Sequence, residues 1–139
     1  MKLAYFQLRM TFAPALLSLV SLAVGAQQST PLNKRVPAAN HELFREVRDS
    51  KQWKNPYLIV LRDGVEVVAV TDKGSPAPVS PIRELLEGLP KSAWPYGRVV
   101  AVQDSSIQSQ GDAQYINANR KKLLRLLRDL YIEVEPWPS

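Results

Sequence analysis

The chain has 139 residues, no cysteine, one histidine and a formal net charge of +5. This length allows one compact domain and is too short for two of typical size. The absence of cysteine excludes a disulfide framework and thiolate metal sites, and one histidine is too few for a zinc site built from histidines. The mild positive charge permits an anionic partner without requiring one.

The amino terminus has the three parts of a secretory signal peptide. Lys2 and Arg9 are its only charges, residues 10–26 carry none, and Val24-Gly25-Ala26 offers modest side chains to signal peptidase. The uncharged segment is shorter than the about 20 residues of a spanning helix and contains Pro14. We therefore expect cleavage after Ala26 and export through the Sec route to the periplasm or the medium. A retained membrane anchor is the alternative.

Residues 27–39 hold two prolines and no apolar periodicity, which predicts a flexible N-terminal segment. Residues 40–139 are predicted to form a single domain. Its first element is a helix over residues 41–49, with Asn40 as the N-cap. The apolar residues of that helix share one face: Leu43, Phe44 and Val47.

The middle of the chain predicts a β-hairpin and a helix. Residues 57–61 and 65–70 are apolar and β-branched, and Asp63-Gly64 between them is typical of a tight hairpin turn. In the helix, Ser80 is the predicted N-cap and Pro81 takes the first helical position. Four apolar residues follow at helical spacing: Ile82, Leu85, Leu86 and Leu89.

The last third predicts a strand, a helix and a second strand. Residues 98–103 are predicted to form a strand, and 99–102 within it are continuously apolar, as in a central strand covered on both faces; a polar loop follows at 104–112. A helix over 114–129 has leucines on one side and cations on the other. Residues 131–135 alternate as an edge strand does, and Pro136 ends that strand.

Together these elements predict a small two-layer α+β domain of order α-ββαβαβ. Its four strands form a mixed sheet, with the last two parallel because a helix joins them. The helices are expected mainly on one face of the sheet. The first helix is expected to cover part of the other face.

The residues predict no catalytic, cofactor or metal site. A nucleophilic triad usually needs a histidine, and His41 is far along the chain from Ser105 and Asp104. Neither a calcium-loop spacing nor a glycine-rich phosphate loop is present. Paired carboxylates for glycoside hydrolysis stay open, because such pairs come from distant positions.

Three features are candidates for an interaction surface: the aromatic turn at 94–98, the loop at 104–112 and the basic helix face. The aromatic turn either exposes an interface hot spot or plugs the end of the sheet. The basic face either meets anionic lipid or wall polymer or is simply solvated. An envelope protein is the other expected partner, and export makes nucleic acid an unsuitable one. The candidate residues are Trp94, Tyr96, Arg98, Asp104, Lys121, Lys122, Arg125 and Arg128.

The order of elements from the Asp63-Gly64 hairpin to the final strand resembles the periplasmic domain of the ExbD/TolR family. The resemblance covers residues 57–135 and implies the same fold and a role in binding partner proteins or peptidoglycan. It implies no catalytic residue in this domain. That family has a transmembrane helix with an essential aspartate, whereas residues 10–26 contain no acid, so proton coupling does not carry over. The loop after residue 104 is also longer than the connection usual in that family.

The hypothesis from the sequence is an exported, non-enzymatic binding module of the bacterial envelope or secreted space. One alternative is a small exported hydrolase that uses Asp104 and Ser105, because loops at the carboxyl ends of strands often bind ligands. The other is an ExbD/TolR-like protein that keeps residues 10–26 as an anchor.

Overall fold

The computed structural model describes residues 30–68, 78–106 and 110–137. The predicted signal peptide, residues 1–26, lies outside these ranges. The regular elements are α1 (Leu32–Arg35), β1 (Tyr57–Leu61), β2 (Gly64–Val68), α2 (Val79–Gly88), β3 (Val99–Asp104), α3 (Gln110–Asp129) and β4 (Glu133–Pro136). Short 3₁₀ helices lie at His41–Leu43, Ser50–Gln52 and Lys91–Ala93. Within the described ranges, no helix has the length and apolar character needed to cross a membrane.

The four strands form one mixed sheet in the order β2-β1-β3-β4. β1 pairs antiparallel with β2 and parallel with β3, and β3 pairs parallel with β4. Leu61 lies opposite Gly64, so the hairpin loop is Arg62-Asp63, and Gly64 has a φ of 149° that favours glycine. The predicted α+β class, the hairpin and the parallel pairing of the last two strands are confirmed.

Strand alternation divides the sheet into two differently covered faces. On one face, Leu58, Val60, Val100 and Val102 are buried in a single core with residues of both long helices. This face is called the helical face below. Its helical partners are Ile82 and Leu86 of α2 and Ile116, Leu123 and Leu127 of α3.

The opposite face is covered by an aromatic cluster rather than by a helix. Its buried members are Phe44, Trp53, Tyr96, Val99 and Ala101, with Tyr57 and Trp137 packed at its side. The rings of Phe44, Trp53 and Tyr96 lie 5.1 to 5.6 Å apart between centroids, in tilted or edge-on arrangements that favour aromatic contact. The hydroxyl of Tyr57 donates to Oε1 of Gln103, and burial raises the pKa of Tyr57 above its ordinary value of 10.0.

The helix predicted over residues 41–49 is wrong. Asn40 accepts a hydrogen bond from the amide of Glu42, as an N-cap does, but the helical turn ends at Leu43. Phe44 is buried in the aromatic cluster while Leu43 is exposed, so the predicted apolar face does not exist. A helix of this length has little stability of its own, and burial of Phe44 and Trp53 directs the backbone instead.

Residues within the predicted flexible segment 27–39 are packed. Leu32 and Val36 are buried in the core of the helical face; Leu32 begins α1 and Val36 is its C-cap. The guanidinium of Arg35 donates to the carbonyls of Glu87 and Leu89, which end α2 without an intrahelical partner. This packing corrects the prediction that the segment contains no folded element.

Three helix and strand boundaries also differ from the prediction. α2 begins at Val79 after Pro78, so Ser80 lies within the helix and is not its N-cap. α3 begins at Gln110, so the predicted loop is shorter than expected. Asp112 lies in the first turn of α3, where the helix dipole stabilises a carboxylate. β4 begins at Glu133 and not at residue 131.

The turn between α3 and β4 is a Schellman motif. The amide of Ile132 donates to the carbonyl of Leu127 at 2.9 Å, and the amide of Tyr131 donates to that of Arg128 at 3.0 Å. Tyr131 takes the left-handed position with a φ of 57°, where glycine is usual. Ile132 and Leu127 are both buried in the same core, which supplies the apolar contact of the motif.

Candidate interaction site

The aromatic turn at 94–98 is part of the core. Trp94 is 3% exposed and belongs to the core of the helical face, whereas Tyr96 is 6% exposed and belongs to the aromatic cluster. Gly97 between them has a φ of 83°, and a Cβ there would lie 2.3 Å from the carbonyl oxygen of Ala38. The turn therefore plugs the end of the sheet, which is one of the two interpretations that the sequence left open, and it does not expose an aromatic hot spot.

Arg98 begins the turn into β3 and is half-buried. Its backbone amide donates to the carbonyl of Pro37 at 2.9 Å, which ties the N-terminal segment to the sheet. Within the described residues, neither its Nε nor Nε1 of Trp94 has a hydrogen-bond partner.

Asp104 is held by an ion pair at the carboxyl end of β3. Its Oδ2 lies 2.7 Å from a guanidinium nitrogen of Arg120, and its side chain is 25% exposed. Arg120 is itself positioned by Oδ1 of Asn117, one turn earlier on α3. The carboxylate is therefore neutralised by a fixed cation of the neighbouring helix.

The only histidine lies at the other end of the sheet. Nε2 of His41 is 2.8 Å from Oε2 of Glu133, and Glu133 lies opposite Val99, the first residue of β3. Asp104 is five residues further along β3, about 16 Å away at roughly 3.3 Å per residue. A triad of His41, Ser105 and Asp104 is therefore not assembled in this fold.

The basic face of α3 is exposed. Lys121, Lys122 and Arg125 make no ion pair within 4.0 Å to any described acid, and Arg128 reaches Asp129 at 3.9 Å. At 100° per residue these four side chains span about 120° of the helix surface, opposite the buried leucines. The structure thus brings together four of the residues that the sequence singled out. We call them the basic stripe: Lys121, Lys122, Arg125 and Arg128.

A small apolar pocket lies beside the basic stripe, between α3 and the carboxyl ends of β3 and β4. Its volume is about 210 Å³, and Leu124, Val134, Pro136 and Trp137 line it together with the Asp104–Arg120 pair. Leu124 is 40% exposed at its rim. No local pattern in the sequence predicts this pocket, because its walls come from three separate elements of the fold.

A larger cavity of about 380 Å³ lies where β1 and β3 end. Arg62 stands beside it, 2.9 Å from Oδ1 of Asp112 and over the ring of Tyr115 at 5.1 Å. Ser105 and Ser106 line it, but among the described residues no histidine or carboxylate hydrogen-bonds to their hydroxyls. Within the described residues, neither serine is therefore hydrogen-bonded to a base that would activate it.

Across the described parts of the chain, no group of three or more histidines, aspartates or glutamates is arranged to hold a metal ion. Comparison with protein families, curated proteins and solved structures finds no match to this chain. Function is therefore inferred from the geometry and the sequence.

Proposed function

We propose that this chain is an exported, non-enzymatic binding module that captures an acidic partner of the bacterial envelope on the basic stripe of α3. The observation that carries the proposal is the charge arrangement. Three of the four cations make no ion pair within 4.0 Å with an acid of the described residues, although acids elsewhere pair with Arg62 and Arg120. Unpaired cations on one rigid helix present a fixed pattern to a partner.

The energy available from the basic stripe is modest and sensitive to salt. An exposed charge pair contributes about 0.2–1 kcal/mol, so four together supply about 1–4 kcal/mol. The Debye length is about 8 Å at physiological ionic strength, so the contribution falls as salt rises. This magnitude suits a reversible partner and leaves room for a second, apolar contribution.

The contacts of the candidate catalytic residues favour binding over hydrolysis. Asp104 forms an ion pair with Arg120, and His41 contacts Glu133 at the opposite end of β3 and β4. A hydrolase that used Asp104 and Ser105 would need a base hydrogen-bonded to the serine hydroxyl, and no described histidine or carboxylate makes that bond, although Asp63 and Asp112 line the same cavity.

Export is supported by the charge and apolar pattern of residues 1–26. An intact mass of the protein from fractionated cells tests it. A species that begins at Gln27 in the soluble envelope fraction or the medium is the expected result. A full-length species in the membrane pellet would contradict cleavage and favour the anchored, ExbD/TolR-like alternative.

Charge reversal tests the binding proposal. The purified protein is titrated with fluorescent poly-glutamate in low salt, and Lys121→Glu/Arg125→Glu is compared with wild type. The matched control is Lys51→Glu/Lys54→Glu, an equal charge change at two exposed cations beside the opposite face of the sheet. Reversing two contacts should weaken binding about tenfold or more, and the control should change it about twofold at most. Equal losses in both variants would show that net charge, and not the basic stripe, governs binding.

A further inference from the structure

The pocket beside the basic stripe is too small for a typical small-molecule ligand. Its volume of about 210 Å³ lies below the roughly 300–1,000 Å³ of such sites. Three of its walls are apolar, Leu124, Val134 and Trp137, while the Asp104–Arg120 pair closes one side with no net charge. A cavity of this size and polarity fits one apolar side chain.

Cations surround the mouth of this pocket on α3. Residues three and four apart are neighbours on a helix surface. Arg120 and Lys121 therefore adjoin Leu124 from the preceding turn, and Arg128 adjoins it from the following turn. If an apolar side chain of a partner enters the pocket, the neighbouring residues of the partner lie across the basic stripe.

We propose that the pocket binds a leucine-sized apolar side chain from an acidic protein segment, whose carboxylates contact the basic stripe at the same time. This inference rests on the proposed function and names the class of partner. The charge of the stripe calls for acidic residues around the anchor, and the pocket volume limits the anchor to one side chain. A buried apolar anchor within a polar rim is the usual arrangement of a protein-binding hot spot.

Addition of the partner as a fifth strand is disfavoured at this edge of the sheet. The amides of Glu133 and Trp137 donate to β3, to the carbonyls of Arg98 and Val102. The backbone N–H and C=O groups of successive residues in β4 point alternately to β3 and to the free edge of the sheet. Those of Pro136 belong to the free edge, and proline has no N–H to donate there. The partner is therefore held by its side chains, in the pocket and along the stripe.

Two fluorescent twelve-residue peptides test the proposal. Both are rich in glutamate and aspartate, and they differ in one central residue, leucine in one and serine in the other. The leucine peptide should bind the purified protein about tenfold tighter, which is what burial of most of a leucine side chain contributes. Leu124→Ser should reduce that ratio to about twofold or less and leave the serine peptide nearly unchanged.

The matched control for Leu124→Ser is Leu85→Ser. Leu85 is 48% exposed on α2 and lies outside the pocket, so its replacement should leave the tenfold ratio intact. Thermal melting of both variants checks that each is folded. Lys121→Glu/Arg125→Glu should weaken both peptides, which tests the proposed function separately from the pocket.

Two results would overturn the inference. If the two peptides bind equally well and their binding still depends on Lys121 and Arg125, the pocket does not bind the leucine, whereas the basic stripe still binds the acidic segment. Binding to phosphatidylglycerol vesicles but to neither peptide, with a loss in Leu124→Ser, would show that the surface recognises anionic lipid and not an acidic protein segment.

Discussion

Replacement of Asn55 by alanine should destabilise the fold more than any other exchange of a single amide side chain in the described residues. Asn55 is 1% exposed and directly precedes the Pro56 that leads into β1. Its Nδ2 donates to the carbonyls of Gly97 and Val99 at 2.7 Å each, and its Oδ1 accepts from the amide of Tyr96 at 2.9 Å. One side chain thus joins the entry of β1 to the turn that begins β3.

The expected loss follows from these three bonds. At about 0.5–1.5 kcal/mol each they contribute about 1.5–4.5 kcal/mol, and buried backbone groups left without partners add to the cost. We expect Asn55→Ala to lower the free energy of unfolding by about 3–5 kcal/mol. For a domain of this size that corresponds to a fall in Tm of about 10–20 °C.

Urea unfolding monitored by tryptophan fluorescence measures the effect, and Asn119→Ala is its control. Nδ2 of Asn119 donates to the carbonyls of Leu61 and Arg62 at 2.9 and 3.0 Å, but at a hairpin turn that water reaches. The control should cost about 1 kcal/mol or less, because water replaces the lost bonds. A loss for Asn55→Ala no larger than that of the control would refute the assigned role of Asn55.

Five further substitutions test other parts of the fold. Gly97→Ala should lower the free energy of unfolding by about 3 kcal/mol or more, because the φ of 83° and the nearby Ala38 backbone exclude a Cβ. The control Gly88→Ala places its Cβ within 4 Å of no other atom and should raise the free energy of unfolding by about 0.5–1 kcal/mol. Denaturant titration of both variants measures the difference. Leu32→Ala should cost about 2–5 kcal/mol in the same titration if the N-terminal segment belongs to the core; a neutral result would contradict that packing. Tyr131→Gly should stabilise by about 0.5–1 kcal/mol, because it relieves the left-handed φ of 57°; a lower Tm would be inconsistent with this cause. Because the pKa of Tyr57 is raised in the folded state, the phenol ionises first in the unfolded chain, and the stability that Tyr57 contributes below pH 10 is lost as the pH rises above it. Tyr57→Phe should therefore flatten the fall in Tm measured between pH 9 and about pH 11. An equally steep fall in the variant would contradict this role of Tyr57.

Local pattern was enough to predict most of the sheet and both long helices. The hairpin of β1 and β2, the apolar run of β3 and the leucine periodicity of α3 each depend on neighbours in sequence, although the hairpin loop is Arg62-Asp63 and not the predicted Asp63-Gly64. These signals reflect strand alternation and helical period, which hold wherever one side of an element is buried. The four-stranded mixed sheet followed from their order.

The region before β1 was not predictable in the same way. α1 is held by Arg35, which reaches carbonyls at the end of α2 more than 50 positions away. The segment around Phe44 is held by aromatic contacts with Tyr96 and by the amide of Asn40, which donates to the carbonyl of Tyr96. Such interactions depend on distant residues and carry no periodicity, so the sequence predicted a flexible tether and a helix instead.

The candidate site divides along the same line. The basic stripe was predictable, because helical period alone places Lys121, Arg125 and Arg128 together on one face. The exposure of Trp94 was left open by the sequence and is excluded by burial on the helical face. The pocket at Leu124 was not predictable, because Trp137 reaches it from the end of β4.

The most direct test of the central claim is a map of backbone amide chemical shifts during titration with the acidic leucine peptide. We expect the largest chemical-shift changes on the exposed side of α3, from Lys121 to Arg128, and around Val134 at the pocket. Changes concentrated on Lys51 and Lys54, or near Ser105 and Ser106 alone, would contradict recognition by the basic stripe.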